Sequence, residues 1–343
     1  VGYNAGVAVT TGVRNTLIGG LAGDSLTEGD DNIALGYNAL STEDTGSKSI
    51  AIGFEALKTQ NNAASNYNVA VGHAAGNSIT TGILNTLIGG LAGDAMTDAD
   101  ENVAVGYNAL TANLKGNRTV AIGNGALMAQ TFSSITDSYN TAVGHFAGGS
   151  VTTGVQNVLI GGLAGDALTD ADYNVALGHG ALSTDTLGST SIAIGTNALA
   201  TQNFTTATNA YNVAVGDSAG VAITTGVNNT LIGGLAGDAL TDADGNTALG
   251  LLALSSDTLG SRSTAIGRSA LQTQNFTTAT NAYNVAVGFD AGTAVTTGIR
   301  NTLMGSQAGD ALTDADDNVA VGALALSADT LGSKSTAIGR GAL

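Results

Sequence analysis

Along this chain a polar residue is followed by an apolar one, then Ala or Leu, a second apolar residue, Gly, two variable positions, Ala, and finally Leu or Gly. Asn102-Val103-Ala104-Val105-Gly106-Tyr107-Asn108-Ala109-Leu110 and Ser263-Thr264-Ala265-Ile266-Gly267-Arg268-Ser269-Ala270-Leu271 are two instances. Alternation at period two over so few positions predicts a strand of four or five residues; a helix needs a longer run at period 3.6. The glycine ends the strand. Lacking Cβ, it can take a positive φ or let a neighbouring backbone approach closely, as a sharp corner requires.

These glycines recur every 17 residues, with every fourth step usually stretched to 19 or 21, from Gly2, Gly19, Gly36, Gly53 and Gly72 onward to Gly339. Self-similarity at a short fixed period is the mark of a solenoid. The predicted fold is all-β: a parallel β-solenoid of about 20 coils, one continuous domain over 1–343, forming a rod on the order of 95 Å at about 4.8 Å per coil. Four coil types recur in order, giving superrepeats of 70 or 72 residues over roughly 15–84, 85–156, 157–228, 229–300 and 301–343. The first type replaces the strand Ala by Leu, at Leu17, Leu87, Leu159, Leu231 and Leu303, and the third carries the insertion. Asn occupies most of the leading polar positions, where stacked amides can share hydrogen bonds and satisfy turn backbone. Both ends fall inside a repeat, so the sequence reads as a segment of a longer protein.

In the strand, large side chains point one way and Ala the other, so one face fills the coil interior while the opposite face is apolar too. Strands apolar on both faces are usually buried on both. The second face needs a cover, and the economical one is two further copies of the chain, a homotrimer. The alternative is that the small residues merely fill tight corners of a monomer.

Composition narrows the function. The apolar fraction is 43%, but with no Trp, 6 Phe and 8 Tyr the core is narrow and aliphatic. A net charge of −17 makes nucleic acid and anionic bilayers poor partners. Cysteine is absent, which removes disulfides and thiolate metal sites, and no apolar run is long enough to span a membrane.

Units such as Ser49-Ile50-Ala51-Ile52-Gly53 and Ser191-Ile192-Ala193-Ile194-Gly195 resemble the repeats of YadA-like heads in trimeric autotransporter adhesins. The Asn-rich form, as in Asn140-Thr141-Ala142-Val143-Gly144, is similar to repeats of bacteriophage tail fibres. The first resemblance implies a trimeric, left-handed parallel β-roll projecting from a bacterial surface; the second implies the shaft or head of a virion fibre presenting a receptor-binding tip. Coils of 17 residues exceed those of the autotransporter head. Either way the expected role is structural and adhesive, extracellular and not enzymatic, with a cell-surface glycan or protein as receptor and no cofactor. A polysaccharide depolymerase and an ice-binding solenoid are the remaining readings; the first needs a groove with paired acids, the second flat rows of Thr.

Candidate chemistry is sparse. The pairs Asp98/Asp100, Asp170/Asp172, Asp242/Asp244 and Asp314/Asp316 resemble half of a calcium loop, but no bidentate Glu closes it, so solvated acidic turns are the competing reading. Ile88-Gly89-Gly90-Leu91-Ala92-Gly93-Asp94 looks like a phosphate cradle yet lacks the P-loop Lys and Ser/Thr, and is read as a corner. His73, His145 and His179 sit in a permissive slot after the corner glycine. Phe132, Phe204 and Phe276, within the insertions, are candidates for stacking on a sugar; alternatively each ring tucks back to close a wide corner.

Overall fold

A computed structural model describes residues 1–343. It contains no helix. The chain divides into two compact units, Val1–Tyr173 and Asn174–Leu343, and each is a parallel β-solenoid. In the first, nine three-residue strands run from Thr16–Ile18 to Val158–Ile160; in the second, ten run from Val175–Leu177 to Thr336–Ile338. Within each unit the strands pair in parallel with the strand one coil on, without a slip in register: Ala34 lies beside Ala51 and Ala51 beside Ala70, as Ala193 lies beside Ala214 and Ala214 beside Leu231. The insertions add short second ladders, such as Gly188–Ser189 with Thr208–Asn209 and Gly260–Ser261 with Thr280–Asn281.

The strands are shorter than the expected four or five residues because the Asn, Ser or Thr in front of most of them spends its main-chain amide on an Asn side chain one coil back. Asn229 N donates to Asn212 Oδ1 at 2.9 Å, and Asn246 N to Asn229 Oδ1 at 2.9 Å. The side-chain amide is used as well, since Asn229 Nδ2 donates to the Ala243 carbonyl at 2.8 Å. The first unit repeats the arrangement, with Asn85 N on Asn68 Oδ1 and Asn85 Nδ2 on the Ala99 carbonyl. All of these asparagines are fully buried. A buried amide needs every partner it can find, and here the partners come one per coil.

The strand face that turns inward is the small one. Ala104, Ala214 and Ala286 are fully buried, while the flanking aliphatics point outward, with Ile232 at 37%, Leu249 at 43% and Met304 at 44% exposure. The Leu of the first coil type has a volumetric reason. A Cβ on Gly220 would lie 2.7 Å from Leu231 Cδ1, and one on Gly237 would lie 2.8 Å from Leu231 Cδ2. One leucine therefore fills the space vacated by two glycines, as close packing demands.

A second inward row alternates apolar and polar layers: Ile223, Leu240, Asp257 and Gln274, all fully buried. The polar layers close on themselves. Gln202 Nε2 donates to Asp185 Oδ2 (2.6 Å) and Ser191 Oγ (2.9 Å), and its Oε1 accepts from Asn212 Nδ2 (2.9 Å).

At the corners, glycine stacks on glycine. Gly233 has φ +136°, and a Cβ there would lie 2.5 Å from the Gly250 carbonyl oxygen; one on the adjacent Gly234 would meet only Leu251 Cδ1 at 3.4 Å. Gly233→Ala is accordingly expected to cost roughly 3 kcal/mol or more, through a glycine-only φ plus a backbone clash. Gly234→Ala should leave stability within about 0.5 kcal/mol. Thermal and urea unfolding of the two variants checks the contrast.

Candidate functional site

The surface carries no pocket, and nowhere do three Asp, Glu or His side chains converge on a point. The acidic turns act as braces between coils. Asp98 Oδ1 accepts from the hydroxyls of Thr80 and Thr81, Asp170 Oδ1 from Thr153 and Asp242 Oδ1 from Thr225, while Asp314 Oδ1 accepts from the neighbouring Thr313. The second aspartate of each pair takes a main-chain amide of the preceding coil at 2.8 Å: Asp100 from Ile83, Asp172 from Val155, Asp244 from Val227 and Asp316 from Ile299. The two carboxylates of a pair thus serve different donors. This arrangement orders the turn without forming an oxygen cage of the kind Ca²⁺ takes.

The insertion phenylalanines do not offer their faces to solvent. Phe132, Phe204 and Phe276 are 6%, 5% and 6% exposed, so of the two readings it is the ring tucked back into the corner that the burial matches. Each ring lies over a glycine: a Cβ on Gly188 would stand 2.7 Å from Phe204 Cδ2, and one on Gly260 would stand 2.7 Å from Phe276 Cδ2. The amides of Phe204 and Phe276 donate to the buried Asp185 and Asp257 carboxylates. The rings close the corner widened by the insertion, and the exposed aromatics of these coils are Tyr139, Tyr211 and Tyr283 instead.

Those tyrosines belong to a row that sequence inspection missed, the residue five before each corner glycine. In the first unit the row holds Arg14, Lys48 and Arg118 with Tyr67, Tyr139 and Tyr173; in the second, Arg262, Arg300 and Lys334 with Tyr211 and Tyr283. Six of the 10 Lys and Arg and five of the 8 Tyr thus occupy one position of the repeat. All of them are exposed. Neighbours along the row touch. Lys48 Nζ donates to Tyr67 Oη at 2.9 Å and Arg262 Nη1 to Tyr283 Oη at 2.7 Å, while Arg14 pairs with Asp31 and Arg300 with Asp317. The hydrogen bond with Tyr67 raises the Lys48 pKa and lowers that of the phenol. A count of residue types per repeat position would have revealed the row.

The remaining candidates have local roles. His73 stacks on Phe54 (5.1 Å), which stacks on Tyr37 (5.7 Å), and His145 meets Phe146 edge-on. The glycine-rich string at Gly89 is a corner, with φ +138°.

One set of carboxylates is poorly served. Asp166, Asp238 and Asp310 hold equivalent positions in the first coil type, and in each Oδ1 is enclosed without a hydrogen-bond partner. Burial pushes all three pKa values up, against the opposing effect of each residue's own amide. The equivalent Asp94 receives the Thr111 hydroxyl. A carboxyl whose pKa is raised on folding costs stability wherever it is ionised, and the cost vanishes once pH falls below the unfolded value near 3.9. The Asp166→Asn, Asp238→Asn, Asp310→Asn triple variant should therefore melt higher than the parent at neutral pH. The difference should shrink as pH drops towards about 4; melting curves across that range check the sign.

Comparison with protein-family models finds no match to this chain, and comparison with curated proteins finds none either.

Proposed function

We propose that this chain is a structural and adhesive fibre segment, the shaft or head of a phage tail fibre, assembled as a homotrimer. The observation that carries the reading is the outward strand face. Every strand puts two side chains out, the second always aliphatic or Met, as in Ile192 and Ile194, Val213 and Val215, Thr230 and Ile232. Taking about 4.8 Å per strand and 3.3 Å per residue, the nine strands of the first unit present a band roughly 40 Å long and 10 Å wide. That matches the largest apolar patch of an ordinary monomer, and such patches mark association sites. Further copies are a natural cover, since a closed cyclic assembly turns the same face of every protomer towards its neighbours.

The absence of any cleft supports a mechanical role: catalysis by paired acids needs one of them sheltered from water, and these turns offer no shelter. In the proposed role, stacked coils hold a distal tip away from a base, and stability accumulates through neighbour contacts. The Ser-Ile-Ala-Ile-Gly units favour a second reading, the head of a bacterial trimeric autotransporter adhesin displayed on the cell surface. A gene ending in a membrane β-barrel supports that reading; one ending in a chaperone domain supports the fibre.

Light scattering of the purified chain should give three times the 33.5 kDa protomer mass. Val215→Lys with Ile232→Lys, placed on the outward face, should dissociate the assembly and leave the β circular-dichroism spectrum intact. A stable protomer of the parent chain at all concentrations overturns the proposal.

A further inference from the structure

Resting on that homotypic reading, we infer that the Arg, Lys and Tyr row five before the corner glycine is the polar rim of the contact, set against the acidic surface of a second copy of this chain. Position is the first argument. In each unit this residue stands directly before the Asn, Ser or Thr that leads into the outward strand, so the row borders the apolar face coil after coil. An apolar strip edged by arginine and tyrosine has the anatomy of a protein interface, where those residues are enriched and carry much of the binding.

Backbone cost is the second argument. The whole row is left-handed: Arg262 has φ 63°, Arg300 57°, Tyr211 51° and Tyr283 52°. Asn and Gly adopt this conformation most cheaply, and Asn228 and Gly245 in the same row show that the solenoid accepts both. The large residues stay despite the strain, although their side chains are exposed and fill no core; Tyr211 is 57% exposed and Tyr283 49%. Backbone strain retained without a packing return points to a function.

Charge is the third. Of the 27 Asp and Glu, only Asp31, Glu101 and Asp317 lie in this row and Glu43, Asp185 and Asp257 are buried, leaving 21 (27 − 3 − 3) elsewhere, so a neighbouring copy presents acidic surface. Lys48, Arg262 and Lys334 make no ion pair within the chain, so their charge is left to meet it. Complementary charge at a rim sets register and on-rate. Register matters in a repeat protein, because a slip by one coil would conserve the apolar contacts of nearly identical strands, whereas this row repeats only every fourth coil.

The test uses the full chain and the variant Arg262→Asn, Tyr283→Asn, Arg300→Asn. Asn relaxes the left-handed backbone, so circular dichroism and melting of the dilute variant should show the fold retained. Sedimentation velocity across protein concentrations and at low and high NaCl should show at least a tenfold rise in the dissociation constant, about one decade of affinity. The variant should also lose most of the salt dependence seen in the parent. A variant that assembles as tightly as the parent, with the same salt response, overturns the inference. If it does so while Val215→Lys with Ile232→Lys dissociates, the homotypic reading stands and only the rim is wrong. A parent chain that never associates sinks both. Normal assembly of the variant with lost retention on an acidic polysaccharide overturns the rim and assigns the row to a glycan.

Discussion

The buried asparagine amide is the interaction on which each coil depends. Its oxygen takes the amide of the residue 17 positions on, and its nitrogen gives to a carbonyl 14 positions on, as Asn301 shows with Asn318 N and the Ala315 carbonyl. Those two spacings define the coil length. A buried polar group left without a partner costs about 1–3 kcal/mol, so losing one amide would strand two main-chain groups of the next coil at once. Ser191 and Ser263 replace Asn where an insertion follows, and there Gln202 and Gln274 bond the serine hydroxyl and accept from the next Asn. The ladder is bridged, not broken.

From that column the rest follows by close packing. The corner glycines stack because nothing with a Cβ fits between successive carbonyls, and the strand alanines turn inward because the coil is too thin for more. The bulky strand residues are left outside. A solenoid whose asparagine column is bonded from coil to coil still leaves an apolar band uncovered, and that imbalance turns a fold argument into one about association.

Period, corner and stacked asparagines were legible in the sequence because each rests on one residue type at one position. Other features depend on relations between coils. Val-Ala-Val alternation shows two apolar faces but not which one is inside; that depends on the glycines facing Leu231. The sequence left Phe204 open between an exposed ring and one tucked into the corner, because its socket is Gly188 on the previous coil. Asp257 and Gln274 lie in polar stretches of the sequence and form a closed buried layer only when stacked. The aspartate pairs read as half a metal loop, since their donors, Thr153 or Val155, lie a full coil away.

Hydrogen exchange by NMR at the side-chain amides of Asn229 and Asn301 tests the ladder most directly. The account predicts Nδ2 protons exchanging as slowly as the strand amides of Ile232 and Leu303, because both open only when coils part. Exchange as fast as that of an exposed amide would show that the asparagine column does not hold the coils together.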